Sequence, residues 1–70
     1  MIAAKILIGN DDKFKMQRLV SELNSTDNLM AVIVEPNAFI IAASSASDYV
    51  YAKDVMNEAF DEYSTETIKY

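Results

Sequence analysis

Apolar residues recur along this chain with two different periods. From Ala3 to Ile8 they are almost continuous and partly β-branched, and Gly9-Asn10 closes the run, which predicts a first strand. The period then changes. Met16, Leu19, Val20 and Leu23 follow helical spacing, which predicts a helix over residues 11–25. Asn10 is placed to cap it, with Asp11 and Asp12 in the first turn, where the helix dipole favours acids. The polar run Asn24-Ser25-Thr26-Asp27-Asn28 breaks it.

Leu29–Val34 and Ala38–Ala43 are two apolar runs on either side of Glu35-Pro36-Asn37. Proline presets φ for a turn and asparagine tolerates the next position, so the segment predicts a hairpin. Ser44 to Asp48 then supplies a helix start, with Ser45 and Asp48 at capping-box spacing. Tyr49, Ala52, Met56, Ala59, Phe60 and Tyr63 form one apolar face of a second helix over about residues 46–63. The tail, Ser64 to Tyr70, either extends as a short strand or frays.

These elements predict one α+β domain over residues 1–70, ordered β-α-β-β-α, with a three-stranded sheet and both helices on one face. Phe39-Ile40-Ile41-Ala42-Ala43 is apolar at every position, as a strand covered on both sides tends to be, so the third strand belongs in the centre. The second strand is apolar in both registers. Leu29, Ala31 and Ile33 form one row, and Met30, Val32 and Val34 form the other. One row must turn away from the helices. It is either an incidental apolar surface or a dimer or partner surface.

Composition narrows the chemistry. A chain of 70 residues buries only about 60% of its unfolded surface. Its core supplies a net of ~3–5 kcal/mol, so a partner or second copy could add to stability. There is no Cys and no His. That removes disulfides, thiolate metal sites, and the usual general base and nucleophile, so an enzyme is not expected. Gly9 alone cannot build a phosphate-binding loop. Asn10-Asp11-Asp12 lacks the alternating ligands and terminal Glu of a calcium loop, and capping explains it better. Ser44, Ser45 and Ser47 stand where a helix cap is needed. No cofactor and no metal is expected. Residues 1–5 do not resemble a signal peptide, and the apolar run Ala38–Ala43 is too short to span a bilayer, so the expected setting is the cytoplasm, away from membranes.

The charge is uneven. Residues 1–27 are balanced, and the whole net charge of −5 falls in residues 28–70. Acidic segments repel phosphate backbones, so direct nucleic-acid binding is not expected and basic protein surfaces are the natural targets. On the second helix, Asp54, Glu58, Asp61 and Glu62 follow i, i+4, i+7 and i+8 spacing, which would line them along one side. Acids four positions apart lie about 6 Å apart along the axis, close to the separation of neighbouring phosphates. Their mutual repulsion costs a few tenths of a kcal/mol per pair. Such a ridge is either a solvated face or a surface presented to a basic site. Tyr51, one turn before Asp54, is placed to act as an aromatic anchor.

Phe39-Ile40-Ile41-Ala42-Ala43-Ser44 and Asp54-Val55-Met56-Asn57-Glu58-Ala59-Phe60-Asp61 resemble the DNA-damage-inducible protein I (DinI) family. The resemblance covers about half of the chain, mainly residues 38–62. It implies a strand–helix–strand–strand–helix fold and modulation of RecA filaments by an acidic helix placed where DNA would bind. Asp54, Glu58 and Asp61 would then be the contacting acids, with Phe60 seating the helix. The very acidic helix end of that family is replaced here by Ser64-Thr65-Glu66-Thr67-Ile68-Lys69-Tyr70.

The expected activity is therefore that of an acidic protein-binding module that imitates DNA. Its partner would be a basic nucleic-acid-binding protein, either RecA-like or a phage-defence effector such as a nuclease or CRISPR effector met by a phage-encoded inhibitor. The alternative is a small homodimeric assembly module that uses the apolar sheet face.

Overall fold

The computed structural model describes residues 1–9 and 12–68. The elements are β1 (Ile2–Ile8), α1 (Lys13–Asn24), β2 (Leu29–Glu35), β3 (Ala38–Ala43), α2 (Ala46–Ala59) and β4 (Tyr63–Ile68). They build an α+β structure with two helices and one four-stranded sheet, ordered β2-β3-β1-β4, with every neighbouring pair antiparallel. β3 lies inside the sheet, as its all-apolar sequence requires. The parallel strands β1 and β2 are thus separated by β3, and the parallel strands β3 and β4 by β1. This interleaving is the split-βαβ, ferredoxin-like arrangement.

The fourth strand corrects the three-stranded expectation. The second helix does not run to residue 63. Its last backbone bond joins the Phe60 N–H to the Met56 carbonyl at 2.9 Å, and Phe60 itself is extended, with φ −122° and ψ 133°. The chain then turns through Asp61 and Glu62 and pairs with β1 from Tyr63 onward. Without β4, β1 would have an unpaired edge, so the hydrogen bonds gained there outweigh another helical turn.

One face of the sheet carries the core. Ala4, Ile6 and Ile8 of β1, Leu29 and Ala31 of β2, and Phe39, Ile41 and Ala43 of β3 pack against both helices. The first helix contributes Met16, Leu19, Val20 and Leu23, the four positions its spacing picks out. The second contributes Ala52 and Met56, and Phe60 follows at the helix end. The Phe60 ring lies 6.3 Å from that of Phe39 and 6.4 Å from that of Tyr63.

α1 begins two residues later than expected, at Lys13. Asp12 occupies the cap position itself and makes no side-chain capping bond, while Asn10 and Asp11 lie outside the described residues. At the other end, the Ser25 and Thr26 hydroxyls donate to the Ser21 and Glu22 carbonyls, which satisfies part of the last turn. Asn28 then reverses the chain with φ 69°, a left-handed geometry that asparagine tolerates. Among the described residues no helix is long and apolar enough to cross a membrane.

Met30 and Val32 form the outward row of β2 and are 68% and 55% exposed, whereas Val34 falls at a break in register that gives the next outward place, opposite Ala38, to Glu35. The outer edge of β2 is closed by a side chain. Asn24 Nδ2 donates to the Ala31 carbonyl and the Ala31 N–H donates to Asn24 Oδ1, both at 2.8 Å. The amide group thus occupies the place of one residue of a fifth strand.

Candidate protein-binding surface

α2 positions the residues singled out for binding. Its start is held as the sequence predicts. The Ser45 hydroxyl oxygen accepts from the Asp48 N–H at 3.3 Å, and the hydroxyl donates back to the Asp48 carboxylate at 2.8 Å. This uses Ser45 as a cap, in keeping with the structural reading of the serine cluster.

From that start the helix presents Tyr51, Asp54 and Glu58 on one exposed side. These three border an open groove between the helices, with Lys15, Arg18 and Glu22 of α1 on the opposite bank and Leu19, Val55 and Ala59 along its floor. Asp54 and Glu58 remain one helical turn apart, as their spacing requires.

Asp61 and Glu62 do not continue that line. The helix has ended at Ala59, so their offsets of seven and eight residues no longer correspond to helical turns. They lie in the turn to β4 and border a second depression with Lys53, Asn57, Tyr63 and Thr65. The sequence spacing therefore describes two adjoining acidic surfaces and not one straight ridge. All four carboxylates are exposed, and among the described residues none of them lies in an ion pair. Phe60, the residue the resemblance assigns to seating the helix, is only 2% exposed and belongs to the core.

Sequence reasoning passed over three links that form where β4 joins the rest of the fold. Lys53 Nζ donates to Thr65 Oγ1 at 3.1 Å and stands 4.9 Å above the Tyr63 ring, tying α2 to β4. The Tyr63 hydroxyl donates to Asn57 Oδ1 at the same junction. Glu66 of β4 faces Lys5 of β1 in direct register on the open side of the sheet. None of these links has a signal in the sequence, because each depends on β4 forming.

Lys5 is the one described residue with a resolved shift in ionisation. Its hydrogen bond to Glu35, at 2.7 Å, holds its ammonium group above the ordinary lysine value of 10.5. Partial burial works against that rise, and the charges of Glu35 and Glu66 add to it. Among the described residues no three metal-ligating side chains converge.

Comparison with protein-family models, with curated proteins and with solved structures finds no match to this chain.

Proposed function

We propose that this chain is a non-catalytic protein-binding module that presents an acidic surface to a basic, nucleic-acid-binding partner. One observation carries the reading. Asp54, Glu58, Asp61 and Glu62 are exposed carboxylates without an ion-pair partner among the described residues, set along α2 and the turn that follows it. Lys15 and Arg18 stand across the groove and Lys53 beside the turn, but none of them closes an ion pair with these acids, so the four keep charge available to a cation-rich site. Tyr51, 46% exposed at the head of the same helix side, supplies an aromatic contact. The DinI-like resemblance makes RecA the first partner to test, with a phage-defence effector as the alternative of the same chemistry.

The test is competition. Purified RecA carrying a labelled single-stranded oligonucleotide is titrated with the protein at low and at high salt. The expected result is displacement of the oligonucleotide at low salt that fades as salt rises, because screening weakens charge pairing. The triple variant Asp54→Asn, Glu58→Gln, Asp61→Asn should fold and lose the effect. Wild-type protein that leaves the oligonucleotide in place at low salt rules out RecA. Unchanged competition by the triple variant rules out the acidic surface.

A second reading rests on a separate observation. Met30 and Val32 expose apolar side chains on the sheet face opposite the helices. Such a surface favours self-association through that face, as in a small homodimeric module.

A further inference from the structure

The two edges of the sheet are finished differently. Along β2, the Leu29 N–H donates to the Thr26 carbonyl at 3.4 Å, and both backbone groups of Ala31 are taken by Asn24. The register of β2 against β3 also shifts between Ile33 and Glu35, and such a bulge further spoils the edge for pairing. Among the described residues β4 has neither device. Its register against β1 runs without a break from Tyr63 to Ile68, and Ser64, Thr65, Glu66 and Thr67 are all exposed.

The direction of each backbone group on β4 follows from Ala31. Its N–H and C=O turn away from β3, and antiparallel pairing alternates such positions across a sheet. Ile40 and Ala42 must then bond to β2, Phe39 and Ile41 to β1, and Ala3, Lys5 and Leu7 to β4. Ser64, Glu66 and Ile68 receive those last bonds. The N–H and C=O groups of Thr65 and Thr67 therefore point outward, and no described residue answers them.

We propose that the outer edge of β4 receives an extended polypeptide segment that carries basic side chains at alternate positions. The proposal rests on the reading that this acidic chain meets a basic protein, and it specifies how. Main-chain bonds to Thr65 and Thr67 would supply the pairing common to strand addition. Charge would set the pattern. On the open sheet face an added strand places its side chains about 5 Å from Ser64 and Glu66, and the Lys5 that faces Glu66 in register closes its ion pair with Glu35 instead. On the helix side Lys53 stands beside Thr65, so uncharged side chains fit there. The fitting sequence alternates a basic residue with an uncharged, strand-forming one. A second copy fits less well. The whole-chain charge of −5 repels it, and pairing Thr65 with Thr67 across a two-fold axis sets Glu66 against Glu66.

The test is an NMR titration of the isotope-labelled full chain with two blocked peptides, Thr-Lys-Val-Lys-Val-Lys-Thr and the same sequence with Glu for Lys. The lysine peptide should shift the Thr65 and Thr67 amides and slow their solvent exchange, and the glutamate peptide should not. Thr67→Pro removes an outward N–H without breaking a bond to β1, and should weaken binding about tenfold. Glu66→Arg keeps the strand and should transfer the preference to the glutamate peptide, which holds the test open if the proline variant unfolds. Shifts confined to the groove bordered by Asp54 and Glu58, lost on Asp54→Asn with Glu58→Gln and unaffected by Glu66→Arg, would overturn the edge while leaving the acidic-surface reading intact. Self-association of the unliganded chain that Thr67→Pro abolishes would make a second copy the occupant and overturn the proposal.

Discussion

Lys5 on β1 reaches over β3 to Glu35 on β2, closing a 2.7 Å ion pair between two strands that are not neighbours in the sheet. The bond crosses the open face of the sheet close to Ile40, which faces Lys5 in register. It has a consequence for pH. The folded chain holds the Lys5 ammonium group above its ordinary value of 10.5, so folding favours the protonated form. Its stabilisation is fully present below the unfolded value and is lost as pH rises through the raised one. Urea unfolding of the wild type and of Lys5→Met, followed from neutral pH upward, should give a constant difference until about pH 10 and a shrinking one above it. A difference that stays unchanged while the lysine loses its proton at high pH would contradict the assignment.

Phe60 closes the core where α2 ends. It is 2% exposed and packs between Phe39, tilted at 40°, and Tyr63, met edge-on at 66°. Phe60→Ala should cost roughly 3–5 kcal/mol, comparable with the whole net stability of a domain this small. Circular dichroism should show a largely unfolded chain. A cooperative melt close to that of the wild type would show that the ring does little for the core.

Asn24 makes two hydrogen bonds that only its amide can make together. Asn24→Ala should cost about 1–3 kcal/mol, the net worth of two such bonds. Asn24→Asp keeps the acceptor and loses the donor, so it should fall between. Hydrogen exchange at Ala31 is the direct readout, and its amide should exchange faster in the alanine variant. Equal protection in both chains would mean that another group shields the strand.

The apolar row of β2 predicts association through the open face. Sedimentation equilibrium at high micromolar concentration should show dimers that Val32→Glu disperses. The substitution is at an exposed position, so the melt should move by no more than about 0.5 kcal/mol. Wild-type protein that sediments only as a monomer at that concentration removes this reading.

How far the fold can be read from the sequence depends on which residues are buried. Met16, Leu19, Val20 and Leu23 are all buried, and their spacing announces α1 without ambiguity. Phe39 to Ala43 places β3 inside the sheet for the same reason. Ser45 and Asp48 mark the start of α2 because capping is local chemistry. The end of α2 has no such mark. No Gly or Pro stands between Ala59 and Tyr63, and Tyr63 falls at helical spacing from Met56 and Ala59. Strand alternation is visible only when one face is covered, and most of β4 is exposed on both. Its pairing is decided by β1, which lies more than fifty residues away in sequence. The candidate surface divides at the same point. Asp54 and Glu58 are legible as neighbours because the helix holds them, whereas Asp61 and Glu62 leave the helix at an unmarked end. Asn24 reads as a helix breaker, and its grip on Ala31 exists only once β2 has arrived.

That grip also sets a limit on assembly. Monomers that can bond at both margins are bifunctional and, like any bifunctional unit, can grow without end into a fibre. With Ala31 on the β2 margin occupied from within, strand addition at β4 would leave this chain monofunctional. One added strand would saturate it, and the product would be a closed complex of fixed stoichiometry. Asn24 would then act as a chain terminator, and its loss would restore the second functional end.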